Sequence, residues 1–205
     1  MAGVTVLVLA AESFLVGMRI IYAVDRISGK EYKLNEVWRQ RWFYGSVFLC
    51  MIFLGTIGIF LNAGLSRIRL LDLVGTYLVL AAVDWKCREV PDPVVICYFA
   101  GQVLLGVGDK GWPIVYGTMV CGLVFGLIVL LFAGCSKGRF GMGDAKLLGI
   151  TALTTGWRYV FQVMCLAFFL AFLYSIWLLV VRKSDKKTEF PFVPFLFAGV
   201  VIQLF

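Results

Sequence analysis

An acid and a base stand two positions apart in Gly138-Arg139-Phe140-Gly141-Met142-Gly143-Asp144-Ala145-Lys146, where a hydrophobic run resumes. A carboxylate costs roughly 2.5 to 3.5 kcal/mol at the centre of a membrane helix, so one retained at the edge of an apolar run marks a functional site. Gly141 and Gly143 carry no Cβ, which lets backbone approach closely and bend just before Asp144. Glycines before an acid also occur in plain turns and helix caps. A second stretch shifts the balance: Ala81-Ala82-Val83-Asp84-Trp85-Lys86-Cys87-Arg88-Glu89-Val90-Pro91-Asp92 likewise sets an acid where an apolar run meets a short basic loop.

Two such carboxyls facing one water can hydrolyse an amide. The ionised member removes a proton from the water as it attacks, and the protonated member supports the oxyanion that forms. Like charges held close cannot both ionise cheaply, so the pair shares a proton, and the sequence does not say which member holds it. Neither metal nor cofactor is required. Histidine is absent and none of the six cysteines forms a CxxC pair, so the sequence supports no Cys/His zinc site and no His-dependent triad. Cys87 and Cys135 lie near the two aspartates and are read as packing residues, because the acids supply all the proton transfer needed.

Sixty positions separate Asp84 from Asp144, so helices must bring them together. The 205 residues are 61% hydrophobic and 15% charged, with a mean hydropathy of +0.94, a membrane-protein composition. Apolar blocks predict an all-α, polytopic transmembrane bundle in a single domain, 1–205. Its eight helices fall at 3–24, 43–63, 67–84, 93–108, 112–134, 144–156, 158–181 and 190–205. The sixth and eighth are short for spanning. The first segment lacks the basic start of a cleavable signal and is read as a retained helix.

Loops 25–42, 85–92, 135–143 and 182–189 hold thirteen of the 19 Lys and Arg, against four on the opposite side, Arg67, Arg69, Lys110 and Arg158. The positive-inside rule puts that first set in the cytosol and both termini outside. Asp84 and Asp144 then share the cytosolic edge of a multi-pass protein. The net charge of +7 is accounted for by orientation beside anionic lipid, with no call for nucleic acid.

These stretches resemble the type IV prepilin peptidases, polytopic GxGD-type aspartyl proteases that include the archaeal preflagellin peptidases. That family pairs an Asp at a helix end, followed by a basic loop with Pro and an acidic or amide residue, with a later GxGDxK. The counterparts here are Asp84 with Val90-Pro91-Asp92, and Gly141-Met142-Gly143-Asp144-Ala145-Lys146. Ser13-Phe14-Leu15 and Phe190-Pro191-Phe192-Val193-Pro194-Phe195-Leu196 are similar to two further family stretches.

The resemblance implies that Asp84 and Asp144 are a catalytic dyad. It would remove the short basic leader from prepilins or pseudopilins, membrane-inserting helices preceded by Lys or Arg, at the cytosolic face of the cell membrane. Many relatives carry two CxxC pairs, a zinc-binding insertion, in the first cytosolic loop, and some also N-methylate the product with S-adenosylmethionine. Residues 25–42 hold no Cys, so neither zinc nor methylation is expected.

Other residues have two readings each. Asp92 binds a leader cation or caps a helix between its prolines; Glu89 supports substrate or is solvated; Lys146 steers substrate or snorkels on another face than Asp144. Asp72 pairs with Arg69 three positions back, while Glu12 contacts another helix or admits substrate. The competing functions are a small proton-coupled transporter and a noncatalytic pilus or secretion assembly component. Both chief acids lying at one edge, with no internal repeat, favour the peptidase over a carrier.

Overall fold

A computed structural model describes residues 15–20, 22–23, 65–136, 140–181 and 191–204. Glu12, Ser13, Phe14, Cys50, Lys137, Gly138, Arg139 and Phe190 lie outside the described residues, as do loops 25–42 and 182–189 and the predicted helix 43–63. The all-α expectation holds, with no strand among the described residues. Residues 15–20 and 22–23 are helical. Six further helices follow: α1 (Leu65–Cys87), α2 (Asp92–Lys110), α3 (Trp112–Cys135), α4 (Met142–Thr155), α5 (Trp157–Val181) and α6 (Val193–Ile202).

The segments Trp112–Cys135 and Trp157–Leu178 are long and apolar enough to cross a membrane. Leu127, Ile128 and Leu131 on α3, and Phe169 and Phe172 on α5, are exposed, as lipid contact requires. The chain is a membrane protein. The 14 residues of α4 cannot span the membrane: they reach only about 21 Å, against about 30 Å of hydrocarbon. Glycines in the left-handed region, Gly111 at φ 79° and Gly156 at φ 101°, end α2 and α4, and each is followed by an exposed Trp of the kind that favours membrane interfaces.

The chain divides into two compact units, one of Met1–Thr76 with Pro91–Gly117, the other of Tyr77–Val90 with Thr118–Phe205. The first is organised around Arg19, which is 1% exposed. Its guanidinium pairs with Asp72, donates to Thr76 Oγ1 at 2.8 Å and to the Cys97 carbonyl at 3.0 Å, and lies over the Tyr98 ring. Gln102 donates to the other Asp72 oxygen at 2.8 Å. Asp72 is therefore held across 53 positions by Arg19, a partner the local Arg69 reading missed, while Arg69 extends towards Asp109. A buried charge needs such partners, since stranding one is strongly destabilising.

In the second unit, Leu80 and Val83 of α1, Leu147 and Leu148 of α4, Val163 of α5 and Leu196 of α6 are buried. Small residues let the helices close up: a Cβ on Gly122 of α3 would come within 2.2 Å of the Ala152 carbonyl of α4. Gly126 and Gly149 meet backbone to backbone at the same crossing.

Candidate active site

Asp84 occupies the last turn of α1 and is 6% exposed. The helix stops because Arg88 turns into the left-handed region at φ 54°, with its N–H returned to the Asp84 carbonyl at 2.9 Å. Glu89 is exposed in the loop that follows.

Asp144 stands in the first turn of α4, whose N-cap is Gly141. Gly141 has φ −63°, open to any residue, so torsional freedom is not why glycine is there. Space is the reason. A Cβ on Gly141 would sit 2.7 Å from Asp144 Oδ2, and a Cβ on Gly143 would sit 3.0 Å from Val90 Cβ. The first glycine leaves room for the carboxyl, and the second lets α4 start against the loop that leaves α1. The expected close approach is present and the expected bending is not.

The register between α1 and α4 is set deeper in. Tyr77 and Thr151 share a buried hydrogen bond of 2.8 Å. Thr151 spends its own proton on the Leu147 carbonyl at 2.8 Å, so Tyr77 is the donor. Asp84 lies seven residues beyond Tyr77, and Asp144 seven residues before Thr151. Seven residues are two helical turns, about 10.5 Å, so each acid falls on the same face as its helix's half of the bond. The Val90–Gly143 approach shows that both helices run to one end of the seam. The two carboxyls thus converge, although no periodicity in the sequence relates them.

Asp144 lies outside the two spanning segments, and burial pushes its carboxyl up to about 7, the charge of Asp84 adding to the rise. A third wall comes from α6: the Val193 N–H donates to Asp84 Oδ2 at 3.0 Å. Beside it, the Phe140 ring lies 5.9 Å from Phe192 and 6.0 Å from Phe132, and Phe168 lies 5.1 Å from Phe192. These rings join the segment before Gly141 to the segment before Val193. A half-buried acid that titrates near neutrality beside a second acid can pass a single proton back and forth.

Lys146 is exposed on α4. Asp92 belongs to the first unit; it does not cap α2, whose N-cap is Pro91, and stands instead in the first turn, where negative charge suits the helix dipole. Cys87 is half-buried and Cys135 exposed, and neither forms a disulfide. Tyr77, Thr151 and Val193 were missed. Val193 lay in a stretch singled out by its resemblance to a family motif, and nothing in the sequence pattern marked Tyr77 or Thr151.

A model of the type IV leader peptidase family matches residues 71–176, which include Tyr77, Asp84, Asp144 and Thr151. The chain belongs to the type IV leader peptidase family. Among its relatives in that family is a prepilin leader peptidase/N-methyltransferase from Pseudomonas putida, 31% identical over 144 residues, covering 66% of this chain and 48% of that protein. The chain thus aligns with about half of this leader peptidase. No solved structure matches the chain.

Proposed function

We propose that the protein is an aspartic endopeptidase that removes the short basic leader from prepilins or prepilin-like precursors at the cytosolic face of the membrane, with Asp84 and Asp144 as its dyad. The observation that carries the reading is the α1–α4 seam, which directs both acids to one end of one compact unit. Family membership supplies the class of reaction.

Hydrolysis needs one proton on the pair. The ionised carboxyl takes a proton from water as the water oxygen bonds to the scissile carbonyl carbon, and the protonated carboxyl gives its proton to the carbonyl oxygen. On collapse the C–N bond breaks, the leaving amine takes the proton held by the first carboxyl, and the second carboxyl recovers one from the gem-diol. The dyad ends with one proton, as it began. The N-terminal rings Phe140 and Phe192 place apolar surface beside these acids, suited to a precursor whose basic leader stays near water while its apolar helix stays in lipid.

The methyl transfer in the relative's name stays with that protein; this proposal covers cleavage, which takes two carboxyls and water. The carrier reading gains nothing from the fold, since the buried Asp72 is tied to Arg19 and Gln102. The test is to incubate the purified, detergent-solubilised protein with a prepilin bearing a Lys/Arg leader and to sequence the new N-terminus. A single cut between leader and apolar helix is expected; an uncut precursor, or cuts scattered elsewhere, would refute the assignment.

A further inference from the structure

Asp84 and Asp144 are not held alike. Asp84 Oδ2 accepts the Val193 N–H at 3.0 Å in a buried contact, and the Phe192 N–H acts on the same carboxylate. Among the described residues no N–H donates to the Asp144 carboxyl, and α4 begins without a side-chain cap. Val193 opens α6, so its N–H has no acceptor inside that helix, and bonding to Asp84 satisfies it. Prolines at 191 and 194 restrict the chain on either side of this donor.

We propose that the start of α6 is a positioning element of the dyad: the Val193 N–H orients Asp84 and holds it as the ionised, water-activating member, leaving Asp144 as the member that carries the proton. A carboxylate that accepts N–H donors is favoured as the anion. Asp144, half-buried without such donors, is pushed up to about 7. The charged and titratable groups acting on the pair are consistent with this order. Burial raises the Asp84 carboxyl too, and against that rise act the Val193 and Phe192 N–H groups and Arg88, at the end of α1; Asp144 faces it from α4; Tyr77 acts on Asp144 from further along α1.

This inference rests on the peptidase reading above, and its test separates the two. Val193→Pro removes the N–H at the first helical position but also disfavours the αR conformation of Phe192 before it, whereas Val193→Ala keeps the N–H and sets the cost of the lost side-chain volume. Relative to Val193→Ala, Val193→Pro is expected to lower kcat about ten- to a hundredfold with KM little changed, and to move the acid limb of the kcat/KM profile to higher pH. Should Val193→Pro fail to insert, replacing Val193 by its α-hydroxy acid deletes the same N–H with the side chain retained. If the N–H-deleted variant matches Val193→Ala in kcat and in pH profile, the positioning role is overturned. If the wild-type protein leaves prepilin uncut, it is the peptidase reading that falls.

Discussion

Tyr77 on α1 and Thr151 on α4 are 74 positions apart and joined by a buried 2.8 Å hydrogen bond. It fixes which residues of the two helices are neighbours, and two turns along from it come Asp84 and Asp144. Removing the hydroxyl with Tyr77→Phe breaks this bond and leaves Thr151 bonded to Leu147, at a cost of about 1 kcal/mol. Thr151→Val should cost a similar amount, and the double variant little more than either single one. Unfolding in detergent, followed by denaturant titration, reads all three. Additive losses would show that the two side chains act independently.

Gly141 is required for space. In Gly141→Ala the new methyl would meet Asp144 Oδ2 at 2.7 Å, so either the carboxyl turns away or the start of α4 shifts. Cleavage should fall at least about tenfold with the amount of inserted protein unchanged, since a misplaced catalytic group costs far more in rate than in stability. Gly117 has no atom within 4 Å of an added Cβ, and Gly117→Ala serves as the matched control. Equal rates for the two variants would remove the steric argument.

The pH profile carries a sign. Asp144, raised to about 7, is protonated below that value and ionised above it. A mechanism that needs one proton on the pair therefore loses activity as pH rises through neutrality, and loses it again at low pH when the second carboxyl also protonates. A bell-shaped kcat/KM profile with its basic limb near neutral pH is expected. A rate that climbs steadily into alkaline conditions would point to a different proton carrier.

Cysteine chemistry is testable separately. Cys87 and Cys135 are undisulfided thiols close in sequence to the aspartates, and nothing in the proposed proton transfers uses them. The double variant Cys87→Ser, Cys135→Ser should cleave at a rate within about twofold of wild type. Loss of cleavage with intact insertion would make a thiolate the nucleophile.

The helices were legible because the physics that sets them is local. All six predicted counterparts of α1 to α6 end within three residues of the observed bounds, punctuated by Gly111, Gly156, the prolines and the basic loops. The errors have local causes too: α4 starts at Met142 rather than at Asp144, because Gly141 caps it and brings Asp144 inside the first turn. The pairings between helices were not legible. Arg19 with Asp72, Tyr77 with Thr151, and Val193 with Asp84 join residues 53, 74 and 109 positions apart, and hydrophobic periodicity tells which face of a helix is buried without telling against what. Gly141 shows a subtler gap. Its type pointed both to close approach and to bending, and the structure shows only the need for room.

The most direct test of the dyad is the mass of a prepilin co-expressed with the wild-type chain, with Asp84→Asn or with Asp144→Asn. Each substitution keeps the side chain's shape and removes its proton chemistry. The wild-type chain should yield a product shortened by the leader, and either variant, inserted to the same level, should leave the precursor at full mass. A shortened product from either variant would contradict the account.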